Sequence, residues 1–272
     1  MPATQDTAAP AVGPLLRHWR ERAGLSQLEL ALRADSSARH LSFVETGRSV
    51  PSREMVLRLA ASLQVPVRER NTLLLAAGYA PVFPATALDD PALAEVRAGL
   101  ERMVAAYEPY PALVMDGRYA VVTANRGIAL LLDGVSPALR ERTANTMRLT
   151  LHPEGMAPRI RNLPEWRAHL LAQMRRQLAL DRSPAVRELY EEVAGYPAPD
   201  GSSWPAAEPH EPDSPEHRFA LPLVLDVDGQ RLSFLSTLAT FNTPLDVTVS
   251  ELAVETFLPA DPATAKALRE AG

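Results

Sequence analysis

The chain has 272 residues, of which 46% are hydrophobic and 22% charged, with a net charge of −5 and no cysteine. This length has room for two domains, each with its own core. Without cysteine the chain can form neither disulfides nor thiolate metal sites, and no apolar run approaches the length of a membrane span. We therefore expect a cytoplasmic protein with no membrane partner.

The chain begins with a short segment that we expect to be disordered. Residues 1–12, MPATQDTAAPAV, lack the basic start and the apolar core of a signal peptide. Residues 13–84 then predict a small all-helical domain. At its centre, Ser26 can cap a helix from Gln27 to about residue 34, and Ser37 can cap a second from Ala38 to Glu45. Gly47 predicts a left-handed stop after the second helix.

The sequence predicts a narrow apolar face on each helix of this pair. Leu28, Ala31 and Leu32 recur at helical spacing in the first, and Leu41 and Val44 in the second. Such a pair requires neighbours to complete its core. The flanking segments supply Leu15, Leu16, Trp19, Met55, Leu57, Leu59, Ala60 and Leu63, with Ser52 as a further cap.

In the ordered run LSQLELA, SS, HLSFVETGR and PS, this segment resembles the helix-turn-helix domains of the lambda-repressor and Cro type, the XRE family. The resemblance spans about Gly13 to Gly78 and implies five helices, with the second helix of the pair in the major groove of double-stranded DNA. A generic helical hairpin is the alternative. The predicted DNA-binding residues are Gln27, Ser37, Ala38, Arg39, His40, Phe43, Arg48 and Arg53.

These residues have different predicted roles. Arg39 is the candidate for reading guanine, because its planar fork can bond O6 and N7 together. Gln27 opens the preceding helix and can clamp a phosphate there. Arg48 and Arg53 either contact the DNA backbone or are solvated surface residues. Phe43 either touches a thymine methyl group or packs within the domain.

The charge and the size of this domain indicate how it would bind DNA. Residues 17–58 contain eight Arg and five acidic residues, so the basic character is local, although charge alone is weak support for DNA binding. A single domain of this size makes few contacts, and we expect a homodimer on an inverted repeat. Arg20 and Glu45 match the positions of a buried ion pair in this repressor type, which implies a structural role for both.

Residues 85–108 predict a connector. Asp89, Asp90 and Pro91 begin a helix that continues to about Ala106. Its apolar stripe could pack on the second domain or pair with the same helix of another copy, and we expect a share in dimerisation. The stripe consists of Leu93, Val96, Leu100 and Val104.

Residues 109–272 predict an α+β domain. A hairpin joins Ala112–Met115 to Tyr119–Thr123 across an Asp-Gly turn, and Asn125 can cap the next helix. Five strands with inserted helices predict one antiparallel sheet covered on one face. The later elements are a helix with the stripe Leu163, Trp166, Leu170, Leu171, Met174 and Leu178, a helix over 185–193, a Pro-rich loop over 196–217, strands over 218–227, 231–240 and 251–258, and a terminal helix capped by Asp261.

Three segments of this region resemble the ligand-binding domain of the MmyB-like regulators. They are EPYPALVMDGRYAVVTANR, LHPEGMAPRIRNLPEWRAHLL and LSFLSTLATFNTPLDVTVSELAVETFLPAD, and the resemblance covers about Pro91 to Ala271. It implies a PAS-like fold and a pocket for a small apolar ligand, with fatty-acid-like molecules among the candidates.

We place the pocket between the Trp166 helix and the strand over 231–240, because that helix carries the largest apolar face available to cover the sheet. Ordinary core packing is the competing explanation for Trp166 and Phe234. The predicted ligand-binding residues are Trp166, Leu170, Phe234, Ser236, Leu238 and Thr240.

Enzyme chemistry has no support in the sequence. There is no nucleophile elbow, no phosphate-binding glycine loop and no pair of His at helical metal spacing. His210 and His217 lie near carboxylates in the Pro-rich loop, where a solvated loop is favoured over a metal site. We expect no catalytic residue, no cofactor and no metal. The two functional hypotheses are a one-component transcriptional regulator with a sensor domain, and a ligand-independent regulator whose second domain only dimerises or docks a partner.

Overall fold

The computed structural model describes residues 11–180, 183–201, 204 and 220–271. The chain forms two compact units. One contains the described residues up to Ala85 together with Thr243–Ser250, and the other contains those from Thr86 to Asn242 and from Glu251 onward. Most of the tail expected to be disordered lies outside the described residues, and Val12 already belongs to the first helix. None of the described helices is both long and apolar enough to cross a membrane.

The first unit begins with five consecutive helices, and the predicted caps are present. Ser26, Ser37 and Ser52 each accept a hydrogen bond from a backbone N–H in the first turn of the helix that follows. Gly47 ends the third helix with a φ of 74°, a conformation that glycine adopts without steric cost. The helices are α1 (Val12–Arg22), α2 (Gln27–Arg33), α3 (Ala38–Glu45), α4 (Arg53–Ser62) and α5 (Val67–Ala76).

The core of this unit differs from the sequence prediction on α2. Leu28 and Leu32 are 59% and 72% exposed, so they do not form the apolar face that their spacing predicts. Ala31 is buried as its spacing predicts, and Leu30 is buried in place of Leu28 and Leu32. The helical spacing had left Leu30 on the outer face of α2. The prediction was wrong because α2 is short, and the packing of the other helices decides which side of it meets the core.

Helix α1 packs closely on the end of α3, and Gly13 makes this approach possible. A Cβ atom at Gly13 would lie 2.5 Å from the Val44 carbonyl oxygen and 2.7 Å from that of Glu45. Neither backbone oxygen can move without shifting a helix. The absence of a side chain at position 13 therefore fixes how near α1 lies to α3.

The second unit contains a five-stranded antiparallel sheet in the order β2-β1-β5-β4-β3. Short 3-10 turns cover Pro91–Leu93 and Ala157–Arg159. The strands are β1 (Ala112–Met115), β2 (Val121–Ala124), β3 (Leu223–Val227), β4 (Gln230–Thr240) and β5 (Ala253–Pro259). The helices are α6 (Ala94–Ala105), α7 (Gly127–Leu132), α8 (Pro137–Arg142), α9 (Thr146–Leu151), α10 (Leu163–Leu180), α11 (Pro184–Ala194), α12 (Val247–Ser250, which groups with the first unit) and α13 (Pro262–Ala271).

Several boundaries differ from the predicted ones. Strand β3 begins at Leu223, later than the predicted start, and β5 begins at Ala253. Helices α8, α9 and α12 have no counterpart in the sequence prediction. The Pro-rich loop is described only up to residue 201 and at Trp204, so the possible metal ligands His210 and His217 lie outside the described residues.

Both faces of the sheet are covered, whereas the sequence predicted cover on one. Helix α6 lies on one face, where Leu100 and Val104 join a buried cluster with Ala112, Val114, Leu252 and Val254. The apolar stripe of this helix is therefore already packed within the same chain. Packing within the chain was one of the two alternatives for this stripe, and a share of α6 in dimerisation stays a prediction.

The opposite face carries the main core of the unit. Phe234 and Phe257 meet edge to face with ring centroids 6.5 Å apart, and Trp166 and Met174 of α10 belong to the same buried cluster. The predicted Trp166 stripe therefore does face the sheet.

Asn125 does not cap α7 as predicted. Its Oδ1 accepts from the Ala112 N–H at 3.0 Å, and its Nδ2 donates to the Val104 and Tyr110 carbonyls, each at 2.9 Å. The side chain is buried and satisfies backbone groups of three neighbouring segments, which is more stabilising than a cap exposed to water.

Candidate DNA-binding surface and ligand cavity

Helices α2 and α3 form a capped pair in the first unit. Ser26 Oγ accepts from the Glu29 N–H at 3.2 Å, and Glu29 Oε2 accepts from the Ser26 N–H at 2.7 Å, a reciprocal arrangement that fixes the start of α2. Ser37 Oγ accepts from the His40 N–H at 3.1 Å. The start of α3 is thereby ordered in the part of the chain where base contacts were predicted.

The predicted DNA-binding residues divide by exposure. Ser37, Arg39, Arg48 and Arg53 are exposed, whereas Gln27, Ala38, His40 and Phe43 are half-buried. Exposed guanidinium groups can reach phosphate or base edges without moving other side chains. Arg53 is the first residue of α4, where the positive end of the helix dipole adds to its charge.

Phe43 brings two of these arginines together. The guanidinium carbon of Arg39 lies 5.5 Å from the ring centroid of Phe43, and that of Arg48 lies 6.0 Å from it. The Arg48 N–H also donates to the Phe43 carbonyl at 2.8 Å, because the turn at Gly47 folds the chain back. We name this group the arginine–phenylalanine cluster. Its ring stabilises two cations on the outer side of α3.

The ion pair expected between Arg20 and Glu45 is present. Arg20 Nε lies 2.6 Å from Glu45 Oε1 and Nη2 lies 3.0 Å from Oε2, while Nη1 donates to the Leu25 carbonyl at 2.8 Å. The Glu45 side chain is only 2% exposed. The hydrogen bonds to Glu45 raise the pKa of Arg20 above its usual value, outweighing the effect of burial.

Gln27 belongs to the same network. Its Nε2 donates to Glu45 Oε2 at 2.8 Å. The side-chain amide that was expected to clamp a phosphate is therefore engaged within the protein. A role for Gln27 at DNA stays a prediction, but its structural role is visible.

The second unit contains a cavity of about 210 Å³ between the sheet and the helices α7, α8, α9 and α10. Most of its lining is apolar, with Leu113 and Phe257 from the sheet and Met147 and Trp166 from the helices. Its volume is smaller than the roughly 300 to 1,000 Å³ of sites for drug-sized ligands. A small apolar molecule fits such a space.

Of the six predicted ligand-binding residues, the cavity is lined by Trp166 and Leu170. No residue of β4 belongs to the lining. Phe234 is fully buried in the core behind Phe257, and Leu238, which is 51% exposed, and Thr240 lie toward the exposed end of β4. The sheet side of the cavity comes from β1, β2, β5 and Leu223, so the predicted helix contributes but the predicted strand does not.

Two ionisable residues that were absent from the prediction line the cavity. Arg140 of α8 is exposed, so it lies where the cavity meets solvent, and Glu255 lies on β5. Ser236, one of the predicted residues, donates from Oγ to Glu255 Oε1 at 2.6 Å. A signal for Glu255 existed in the sequence, since Ala253, Glu255 and Phe257 alternate on one face of a strand and an acidic residue on an inward face is unusual.

Two family models match the chain. The model described as "MmyB-like transcription regulator ligand binding domain" matches residues 96–271, and the model described as "Helix-turn-helix domain" matches residues 11–73. A comparison with curated proteins gave no match. The cavity lies within the first match and the arginine–phenylalanine cluster within the second. Both models describe regulatory DNA-binding or ligand-binding domains.

Proposed function

The chain belongs to the family of MmyB-like transcription regulator ligand-binding domains, and we propose that it is a one-component transcriptional regulator. In this proposal the helix-turn-helix domain binds an operator in double-stranded DNA, and a small apolar ligand in the cavity changes the affinity for that operator. The observation that carries the proposal is a largely apolar cavity inside the domain that the family model matches.

The lining supports a ligand with an apolar body. Trp166 and Leu170 would contact that body, together with Leu113 and Phe257 from the sheet. Fatty-acid-like molecules are one candidate class, because Arg140 at the solvent edge of the cavity can receive a carboxylate while the hydrocarbon lies inside.

For DNA we propose that the start of α3 enters the major groove of each half-site of an inverted repeat, bound by a homodimer. Arg39 would read a guanine, with Phe43 supporting its side chain, and Arg48 and Arg53 would contact phosphates. Ser37 and His40 lie at the same end of α3 and complete the surface. The exposure of the arginines and their position around one helix support this assignment.

A binding experiment with a library of operator variants tests the role of Arg39. Arg39→Ala should relax the preference at one base pair per half-site, at about 1 to 3 kcal/mol each. Arg58→Ala, an exposed arginine of α4 outside the proposed surface, is the matched control. Equal weakening on every sequence would identify Arg39 as a phosphate contact instead.

The path of the chain offers a link between ligand and DNA. Helix α12 groups with the DNA-binding unit, where the Val247 N–H donates to the Pro84 carbonyl at 2.7 Å and Val247 is 2% exposed. The same chain continues into β5, which carries Glu255 and Phe257 of the cavity. We infer that a ligand that shifts β5 acts on the DNA-binding unit through this short connection.

The sensor function is tested on the purified full-length chain. Native mass spectrometry should reveal a retained small molecule, and added ligand should raise the melting temperature and shift operator affinity by a reciprocal factor. Thr150→Phe, which fills part of the cavity, should abolish both effects, whereas Thr240→Phe on the exposed strand end should not. If nothing is retained and no compound of a lipid and metabolite library shifts the melting temperature, the second domain is a dimerisation or docking module.

A further inference from the structure

Glu255 occupies an inward position in the middle of the sheet. It pairs across the ladder with Leu113 of β1 on one side and Leu238 of β4 on the other. In an antiparallel pair, opposite residues point to the same face, so the carboxyl group faces the cavity together with Leu113 and Phe257. Both of those residues also line the cavity.

The lining of the cavity around this carboxyl is mostly apolar. Ser236 Oγ donates to Oε1 at 2.6 Å, and within the described residues Glu255 forms no ion pair. Burial raises the pKa of Glu255, and the hydrogen bond from Ser236 only partly opposes this effect. Tyr119 is near enough for the charge of Glu255 to contribute to its raised pKa of about 12, although burial is the main cause.

A carboxyl group in such a place is unfavourable for the free protein. Removing it from water costs free energy that one hydrogen bond does not recover, whether the group is neutral or ionised. A ligand that donates a hydrogen bond to the second carboxyl oxygen would reduce that cost. A ligand carboxylate at the same place would instead bring two acidic groups together, which disfavours ionisation of one of them.

We propose that the cavity selects small apolar ligands that carry a hydrogen-bond donor, a hydroxyl or a protonated amine, positioned to bond Glu255. The inference rests on the proposed sensor function and specifies its ligand class. The carboxyl accepts the hydrogen bond, Ser236 positions the carboxyl, and Trp166 and Leu170 contact the apolar body. An acid group on the same ligand would lie at the solvent edge near Arg140.

Four probes of equal chain length test this selection by calorimetry and thermal shift on the full chain: octanol, octylamine, octanoate and octane. Octanol or octylamine should bind about tenfold more tightly than octane, the ratio expected for one buried hydrogen bond. Octanoate offers no donor to Glu255 and can gain affinity only through Arg140 at the solvent edge. The relative affinity of octanol and octylamine identifies the donor as a neutral hydroxyl or a cation.

Variants at position 255 separate recognition from shape. Glu255→Leu removes the acceptor and should abolish the preference for either donor. Glu255→Gln retains an acceptor oxygen but no ionisable group, so the affinity for octanol should be unchanged. If the donor is a cation, the affinity for octylamine should fall about tenfold. Glu165→Gln, on the exposed side of α10, is the control for a change in net charge and should leave all four affinities unchanged.

The stability of the ligand-free protein gives a second readout. If Glu255 serves ligand binding, Glu255→Leu should raise the melting temperature of the free protein, because an unfavourable buried carboxyl is replaced by an apolar group. A lowered melting temperature would assign Glu255 a structural role and overturn the inference.

The outcomes distinguish this inference from the sensor proposal. Octane binding as tightly as octanol and octylamine would overturn the selection by Glu255 while retaining a ligand-binding cavity. If none of the probes binds, nothing is retained by the purified protein and operator affinity never changes, the sensor proposal fails, and the inference fails with it.

Discussion

A glutamate lies in the interior of each unit, and the two have opposite surroundings. Glu45 receives two bonds from Arg20 and one from Gln27. Glu255 receives one bond, from Ser236. Glu255 is half-buried and lines the cavity. Both oxygens of Glu45 are hydrogen-bonded within the protein. Glu255 is bonded at Oε1, and the cavity beside it has room for a ligand that bonds its second oxygen.

The difference indicates how a buried charge relates to function. A carboxylate bonded by a planar guanidinium and an amide stabilises the packing around it, and it has little capacity left for a ligand. A carboxyl that lies beside a cavity, with one donor, adds little to stability and is available for recognition. We therefore expect substitutions around Glu45 to lower the stability of the first unit, and substitutions at Glu255 to change the ligand selectivity of the second.

The largest expected effect comes from Glu45→Ala. This change leaves Arg20 buried without its partner, and the free energy of unfolding of the first unit should fall by about 3 to 5 kcal/mol. A chain of two units need not unfold in one step, so a single melting temperature does not isolate the first unit. Hydrogen exchange of the amides of α1 and α3 in the full chain measures the loss of stability in that unit.

The matched control for Glu45→Ala is Glu21→Ala. Glu21 pairs with Arg17 at 2.8 Å and lies 3.6 Å from Arg20, but its side chain is more than half exposed, so the loss of stability should be much smaller. Equal effects of the two substitutions would show that the Arg20 pair contributes no more than a surface pair, and the comparison between the units would fail.

Gly13→Ala should have the next largest effect. The added Cβ would meet the carbonyl oxygens of Val44 and Glu45 at 2.5 and 2.7 Å, so α1 must move away from α3 and take Arg20 with it. We expect about 1 to 3 kcal/mol of destabilisation. Gly99→Ala in α6, whose Cβ would have a single neighbour at 3.9 Å, should instead be neutral or stabilising in the same thermal measurement.

Gln27→Ala removes one of the three bonds to Glu45. The free energy of unfolding should fall by about 1 kcal/mol, the typical net value of one hydrogen bond. Operator affinity at fixed salt, measured together with stability, decides between its two roles. A variant with unchanged stability and lower affinity, together with a smaller salt dependence, would show that Gln27 acts on a phosphate and not on Glu45.

The first unit was more predictable from sequence than the second, for a physical reason. Its helices are set by local signals, such as Ser26, Ser37 and Ser52 as caps and Gly47 as a stop, and these signals need no distant partner. Leu28 and Leu32 were the failure, since helical spacing alone does not specify which side of a short helix meets the core.

In the second unit the decisive contacts join distant segments. Asn125 resembles a cap in the sequence, yet it bonds backbone groups of Ala112, Val104 and Tyr110 that only the fold brings near. The cavity was placed on the correct helix and the wrong strand, because sequence order does not reveal that β5 lies between β1 and β4. Glu255 was missed although its inward position could have been read from the alternation of its strand.

The smallest expected effect is a dependence of stability on pH that belongs to Glu255. Burial raises its pKa in the folded protein above the value of about 4.3 in an unfolded chain. The unfolded state then binds fewer protons, so this group favours folding most below its unfolded pKa, and its contribution is lost as the pH rises through the raised value. Tyr119, with a pKa of about 12, stays neutral near neutral pH. Glu255→Gln should therefore flatten the decline of melting temperature as the pH rises above about 4.3, whereas Glu165→Gln should not. Saturating octylamine should flatten the wild-type curve as well if it binds as a cation, because it stabilises the ionised carboxylate. An unchanged slope in the Gln variant would mean that Glu255 is ionised throughout this range and that its environment is more polar than its apolar neighbours indicate.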